Sequence, residues 1–456
     1  MKSSIYNIIS VDDSCKTAFI YNTLYGSLAT VSSEEVSAAC ELLTNVPTAE
    51  EGPATELMGS LVRGKFVIPD SVNELGIVRQ RKYRGVYDNN RLDIVIMPNM
   101  ACNFSCIYCY EKHDSTAIMD KSTEDAVITW LSGEVVKHKV VTLNWFGGEP
   151  TLSWNAVLKI NQHINDVCRR QNIALLASVT TNGYAFNDTI IEKFIDAGLN
   201  NYQITVDGPE RVHNNTRMLK NGGGSFSRVV NNMIRLARCG DAVRISLRVN
   251  YNHNNIQDIP ELLLCLPEGI RYKIRPVFEP IFGGSSAGAP NNLSPETISR
   301  LIPEYYKYAK QLGYDVRGGE IGVGRLVYCF AERQHQYILS YSGEIFKCSV
   351  GDFSSKSRFG YINSDGCLVK DDARWDGWVG TWLFETKCEE CVFLPLCMGG
   401  CKKHRIENMK NGAYCHLVTP NASQTLKRIS YGDFNSLIMN EVGRIRKCKK
   451  QGQTVF

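Results

Sequence analysis

Three cysteines, Cys102, Cys106 and Cys109, stand with three and then two residues between them. A four-iron, four-sulfur cube takes four thiolates, so three leave one iron open to a further ligand. Downstream, Gly147, Gly148, Glu149 and Pro150 follow one another. Adjacent glycines let a backbone approach a ligand closely, and a fixed carboxylate receives a cationic amine. A second group, Cys388, Cys391, Cys397 and Cys401, is spaced by two, five and three residues, and Cys415 follows after thirteen more. Upstream of it, Cys329 is followed after thirteen residues by Gly343, and Gly343 after four by Cys348. Such spacing reads as a metal site, whether iron-sulfur or a zinc ribbon.

Elements must hold these groups in place. Apolar runs at 92–97, 140–145, 174–180, 201–206, 243–249 and 271–277 read as buried strands. Segments of helical period separate them, with Val127, Leu131 and Val135 on one face and Val229, Met233, Ile234 and Ala237 on another. Six strand-helix units imply a parallel sheet with right-handed crossovers, hence an α/β fold built on a partial (β/α)6 TIM-like barrel. The cysteine triplet then follows the first strand, and Gly147 to Pro150 follow the second, on the same C-terminal rim. Thr181 and Asn182 at the end of the third strand, Asp207 after the fourth, and Arg217 ten residues on share that rim. Arg248 and Asn250 end the fifth. Glu279 lies just past the sixth.

The barrel spans 91–313. A small N-terminal α+β domain precedes it at 1–90: strand-like runs at 5–9 and 18–21, helical patterns at 34–43 and 54–64, and a polar link over 79–90. A loop over 283–292 and a helix over 295–312 follow the sixth strand. The C-terminal iron-sulfur cluster domain, 314–456, loses the regular alternation between Cys329 and Cys415, as expected where metal holds the fold. Its basic stretch 444–450 reads as a solvated helix end. Seven further cysteines (15, 40, 168, 239, 265, 367 and 448) lie mostly in helical patterns and read as small buried hydrophobes.

Bulk properties exclude other classes. In 456 residues, 51 basic and 47 acidic side chains leave a formal charge of +4, too slight for a nucleic-acid or membrane-surface footprint. No run reaches the ~18 apolar residues of a spanning helix, and residues 1–7 lack the features of a secretion signal. The expectation is a cytoplasmic protein with no nucleic-acid and no membrane partner. Seventeen cysteines in a reducing compartment argue for metal over disulfides.

The triplet with Tyr108 inside it, followed by Gly-Gly-Glu-Pro, resembles the radical S-adenosylmethionine superfamily. The resemblance implies that Cys102, Cys106 and Cys109 hold a cluster whose open iron is chelated by the methionyl amine and carboxylate of S-adenosylmethionine. The backbone at Gly147 and Gly148 and the Glu149 side chain would hold the amine. Thr181, Asn182 and Asp207 would face the ribose and sulfonium, and Arg217 the carboxylate. An electron then cleaves the sulfonium to methionine and a 5'-deoxyadenosyl radical. The later cysteines resemble the SPASM extension of peptide-modifying radical enzymes. By that resemblance Cys388, Cys391, Cys397 and Cys415 hold one auxiliary cluster, and Cys329, Cys348 and Cys401 a second, making three four-iron clusters. Residues 321–327 lack the cysteine that completes the second in some members, leaving an open iron unless Cys367 or another group fills it.

Two outcomes compete within that group: crosslinking of a ribosomally made precursor peptide, and formylglycine formation in a sulfatase. Ser349 stands where the sulfatase type resembles itself in an Asp. Residues 1–90 resemble in layout a winged-helix leader-recognition element, which pairs a peptide with a sheet edge. The expected partners are a precursor peptide with its leader and a flavodoxin- or ferredoxin-type electron donor. Asp352 and Glu279 are the candidate acid or base. A non-catalytic iron-sulfur electron-transfer protein is the alternative of another class, and Gly147 to Pro150 on a barrel rim argue against it.

Overall fold

The computed structural model describes residues 1–12, 17–46, 56–281, 293–316, 324–351, 353–380 and 386–408. They form two compact units, one of 1–87 with 324–329 and 386–408, the other of 88–316 with 330–380.

In the first unit, β1 (Lys2–Ser3) pairs antiparallel with β5 (Val67–Ile68). A three-stranded antiparallel sheet runs in the order β2 (Asn7–Asp12), β3 (Thr17–Asn22), β4 (Leu28–Ser32). Helices α1 (Ser33–Thr44), α2 (Glu56–Arg63) and α3 (Glu74–Val86) complete it. Ile20, Val31, Ala39, Leu43, Leu61 and Phe66 make one core cluster. The polar link expected over 79–90 is helical as far as Val86, because Val78, Lys82, Gly85 and Val86 form a buried face whose lysine disguised it. Lys82 Nζ donates to the Met398 carbonyl at 2.9 Å. Tyr6, Leu24 and Val78 pack with Leu394 and Met398, so the N-terminal segment and the 386–408 cysteine segment share a core.

The second unit carries a ten-stranded sheet. Six parallel strands, β6 (Arg91–Ile96), β7 (Val140–Trp145), β8 (Ala174–Thr181), β9 (Asn201–Thr205), β10 (Arg244–Tyr251) and β11 (Ile274–Pro280), are neighbours in chain order. Helices α4 (Lys121–Val135), α5 (Trp154–Arg170), α6 (Asp188–Asp196), α7 (Glu210–Thr216), α8 (Phe226–Arg238), α9 (Ile259–Leu264) and α10 (Glu268–Arg271) fill the crossovers, and α11 (Pro295–Gln311) follows. Val127, Leu131 and Val135 are fully buried on α4, as are Val157, Ile160 and Ile164 on α5. The predicted partial barrel is present.

It is extended where the sequence showed no pattern. A seventh parallel strand, β12 (Gln336–Leu339), pairs with β6 in the register Gln336↔Asp93 to Leu339↔Ile96. Antiparallel β13 (Glu344–Phe346), β14 (Gly360–Ile362) and β15 (Leu368–Lys370) continue the sheet. Strands of three or four residues are too short to show a period. Gly343 turns the β12–β13 hairpin at φ 78°, where glycine bears no steric penalty. The smaller cysteines divide: Cys168 is buried and Cys40 half-buried, but Cys239, Cys265 and Cys367 are exposed at helix ends and a turn, so burial holds for fewer than expected. Cys15 and Cys448, the 283–292 loop and the 444–450 stretch lie outside the described residues. Among the described residues no helix is long and apolar enough to cross a membrane.

Lys82→Met retains the stem and removes the donor to Met398, leaving a buried carbonyl short of a partner. A loss of about 1–3 kcal/mol is expected, read as a lowered midpoint in anaerobic thermal unfolding.

Candidate active site

The cysteine loop leaves the C-terminal end of β6 and is clamped from two sides. On one side, Gly148 N–H donates to the Asn99 carbonyl at 3.3 Å and Glu149 N–H to the Ala101 carbonyl at 2.7 Å. On the other, Ser105 N–H donates to Met218 O, Ile107 N–H to Thr216 O and Lys220 N–H to Asn103 O, at 2.8, 3.1 and 3.0 Å. The glycines are required by this clamp. A Cβ on Gly147, at φ 106°, would lie 2.5 Å from Asn99 O, and one on Gly148 2.3 Å from Ala101 O. The close approach is thus to the chain's own cysteine loop.

Glu149 is buried and spent largely on the chain. Its Oε1 accepts from Thr151 N–H and hydroxyl at 3.0 and 2.5 Å and from the Thr181 hydroxyl at 2.7 Å, and its Oε2 accepts from Asn182 N–H at 2.6 Å. Burial lifts its carboxyl above the ordinary range against these bonds. Asn182 is likewise engaged, donating to Asn103 Oδ1 at 2.8 Å and accepting from Tyr184 N–H at 2.9 Å. Thr181 thus ties the end of β8 to Glu149, and Asn182 ties it to the cysteine loop.

Tyr108, between two of the cysteines, carries a second network. Its hydroxyl donates to Asp207 Oδ2 at 2.5 Å and accepts from Arg217 Nη1 at 2.8 Å and Asn250 Nδ2 at 3.0 Å. Asp207 Oδ1 accepts from Asn250 N–H at 2.9 Å, and Arg248 Nε donates to Asn250 Oδ1 at 2.8 Å. Burial lifts the Asp207 carboxyl, with Arg217 opposing. Burial also opposes charge on Arg217, but Cys106, Tyr108 and Asp207 outweigh it and hold the guanidinium above its ordinary value. The brace behind this network is His213. The Ser225 hydroxyl donates to Arg217 O at 2.6 Å, so its oxygen accepts from His213 Nε2–H at 3.1 Å, and Nδ1 accepts from Asp207 N–H at 3.4 Å. Those bonds fit only the neutral imidazole, and burial with Arg217 nearby depresses the His213 pKa to about 3.

Among the described residues, two charged side chains beside the triplet keep a polar atom without a partner. Arg217 Nε and Glu111 Oε1 are buried with no hydrogen bond. Burial, and then Glu149, lifts the Glu111 carboxyl to about 7. Burial pushes the Cys102 thiol up to about 12 and Cys109 to about 11, and Cys106 rises with them. Such thiols keep their protons at neutral pH unless a metal takes their place. This donor set fits an iron cluster bearing a ligand with one negative and one positive end. Glu111 and His113, whose Nε2 lies 3.3 Å from Cys109 Sγ, escaped the sequence reading; a carboxylate two residues past a cluster cysteine was the available signal.

Glu279 lies inside β11, buried and in register with Asn250. The strand runs three residues later than the sequence reading because Arg271 closes α10. Asp352 and Cys415 lie outside the described residues. Cys348 follows β13 in the barrel unit, whereas Cys329, Cys388, Cys391, Cys397 and Cys401 belong to the other unit. There the turn from Cys397 to Cys401 runs through Met398, Gly399 and Gly400, all at positive φ. Arg405 Nη2 donates to Cys388 Sγ at 3.1 Å and Arg405 Nε to Gly399 O. A cationic donor on a thiolate is what a metal-bound sulfur favours.

Residues 96–266 match the radical SAM superfamily profile. An uncharacterised protein of Methanocaldococcus jannaschii is 30% identical over 61% of this chain and 95% of its own length. The chain belongs to the radical SAM superfamily. It is similar, at 22% identity over 75% of this chain and 96% of the relative, to a cysteine-type anaerobic sulfatase-maturating enzyme of Clostridium novyi. The structure of Streptococcus suis SuiB bound to its precursor peptide SuiA shares the fold, with a TM-score of 0.50 at 15% identity over 88% of this chain and 95% of SuiB. As a radical SAM enzyme the chain is of oxidoreductase type, and its triplet and Gly-Gly-Glu-Pro rim lie within the matched segment.

Two outcomes follow. Gly148→Ala forces a methyl against Ala101 O and pushes the cysteine loop off its clamp. Reconstituted protein should bind about four fewer irons, with helix content unchanged by circular dichroism. For His213, the unfolded chain takes up a proton below pH 6.5 while the folded one does not until about 3. Stability is thus complete above pH 6.5 and is lost at about 1.4 kcal/mol per unit as pH falls toward 3. Denaturant titrations across that window should show a shallower slope for His213→Gln.

Proposed function

We propose that this chain uses S-adenosylmethionine bound at the Cys102, Cys106 and Cys109 rim to oxidise a ribosomally made precursor peptide, forming a crosslink. The observation that carries the reading is the half-buried triplet with the partnerless Arg217 Nε and Glu111 Oε1 beside it. When bound, the cluster and S-adenosylmethionine supply a 5'-deoxyadenosyl radical that abstracts hydrogen. The protein's part is to orient. The three thiols hold iron, Arg217 Nε receives the methionyl carboxylate, and Glu111 takes the amine, whose positive charge would draw the Glu111 carboxyl back to its ionised form. Glu149 keeps one Oε2 lone pair for the same amine while holding Thr181 and Asn182. Tyr108, Asp207 and Asn250 fix Arg217 in place.

For the auxiliary sites, Cys388, Cys391, Cys397 and Cys415 would hold one cluster, and Cys329, Cys348 and Cys401 the other. A peptide substrate is supported by the first unit. Its sheet ends on β4, where Leu28, Thr30 and Ser32 are exposed, an edge suited to pairing with an extended leader. SuiB, which shares the fold, is known with its precursor peptide bound. Ser349 after Cys348 speaks against the formylglycine reading. Glu279 is the described carboxylate we assign to proton transfer in product formation, with a flavodoxin- or ferredoxin-type protein as electron donor.

Anaerobic, cluster-replete enzyme should convert S-adenosylmethionine to 5'-deoxyadenosine under dithionite, and Cys102→Ala should abolish this. With a synthetic precursor peptide that the enzyme accepts, the product should lose two hydrogens per crosslink by mass spectrometry. Glu279→Gln should retain 5'-deoxyadenosine and lose the crosslink. An aldehyde on a sulfatase peptide with no change in the precursor would overturn the crosslinking reading, and no 5'-deoxyadenosine at all would overturn the enzyme.

A further inference from the structure

The opposite end of the barrel carries a second constellation. Glu134 near the end of α4, His138 just before β7 and His335 just before β12 each offer a ligand atom, and these lie within 4.8 Å of one another. Glu134 and His138 are buried. Asn89, just before β6, sets the state of both imidazoles. Its backbone carbonyl can only accept, so His138 Nδ1 donates to it at 2.8 Å. Its side-chain carbonyl oxygen takes His335 Nε2–H at 2.9 Å.

One nitrogen of each ring turns into the group. His138 Nε2 lies 3.5 Å from Glu134 Oε1, an ion pair when the ring is charged. His335 Nδ1 is buried with no hydrogen-bond partner at all. The two ring centroids stand 4.8 Å apart. Lys137 engages the other carboxylate oxygen, Oε2, at 2.7 Å, and leaves Oε1 to the group. Two imidazole nitrogens and a carboxylate oxygen converging in a buried place call for a cation between them, a proton or a metal ion. Imidazoles whose second nitrogen donates to a carbonyl are the usual form of metal-bound histidine.

We infer that Glu134, His138 and His335 bind a divalent transition metal, zinc in the first place, in a site separate from the iron-sulfur rim. Two imidazoles and a carboxylate suit zinc, with water in the fourth position. Its place assigns it a structural role. Asn89, His138 and His335 precede β6, β7 and β12, so the metal would pin the added strand β12 to the first two barrel strands at their N-terminal ends.

The test uses cluster-replete enzyme. Crystals grown with zinc, measured on both sides of its absorption edge, should show an anomalous peak within bonding distance of all three residues. In solution, zinc should fall from about one per chain to near zero in His335→Ala, with iron content unchanged. No peak at this position overturns the site, as does equal zinc in the variant and the parent, which would put the metal on cysteines. The crystal measurement stands on the parent protein even where the variant fails to fold.

Discussion

A carboxylate with almost no access to water is an expensive object, and Glu149 is tolerated because four donors from three residues surround it. That arrangement does more than stabilise one charge. Thr181 and Asn182 come from the end of β8 and Thr151 from just past β7, so the carboxylate joins two strand ends. The Glu149 N–H on Ala101 O joins both to the loop leaving β6. Position of the three cysteines depends on this clasp, since the loop has no regular structure of its own. Glycine at 147 and 148 follows from the same constraint: backbone must lie on backbone there, and a Cβ has nowhere to go.

The Tyr108 network repeats the device on the other side of the loop. A buried acid and a buried base do not touch but meet through one phenol, which donates to Asp207 and accepts from Arg217. This geometry commits one guanidinium nitrogen and leaves Nε uncommitted. A guanidinium held rigid with one donor unused is preorganised for an anion: the cost of desolvating and orienting it falls on folding. His213 and Ser225 extend the brace to the backbone of Asp207 and Arg217 without adding charge, and neutrality of the imidazole matters because a second cation there would face Arg217.

The barrel and the rim's membership were legible in the sequence because long apolar strands alternate with helices of clear period, and because parallel strands place their ends together. Val140–Trp145 was readable to the residue. The roles on the rim were less so. Thr181, Asn182 and Asp207 have the chemistry of ligand contacts, and in the structure Thr181 and Asn182 also bond to Glu149 and Asp207 to Tyr108 and Asn250, bonds that composition cannot reveal. Glu111 shows the converse: its place two residues past Cys109 is a faint mark, and its buried, orphaned oxygen is the strong one. The β12 to β15 extension was invisible because strands of three or four residues carry no period. Helix α3 was missed because its buried face includes Lys82, whose ammonium is satisfied by a carbonyl more than 300 residues away in sequence.

That last contact ties the N-terminal segment to the cysteine segment 386–408. The segment keeps a core of its own around Ile20, Val31 and Phe66, and in addition Tyr6, Leu24 and Val78 share a core with Leu394 and Met398, and the Thr23 hydroxyl donates to the Val392 carbonyl. Met398 itself sits at φ 48°, a strained backbone for a side chain with a Cβ. Its side chain is buried in the N-terminal core, and its carbonyl is held by Lys82. The turn that separates Cys397 from Cys401 is therefore over-determined by residues 1–87. Tyr6 and Leu24 flank β2 and β3, so the backbone between Cys397 and Cys401 rests on the same segment that carries the three-stranded sheet.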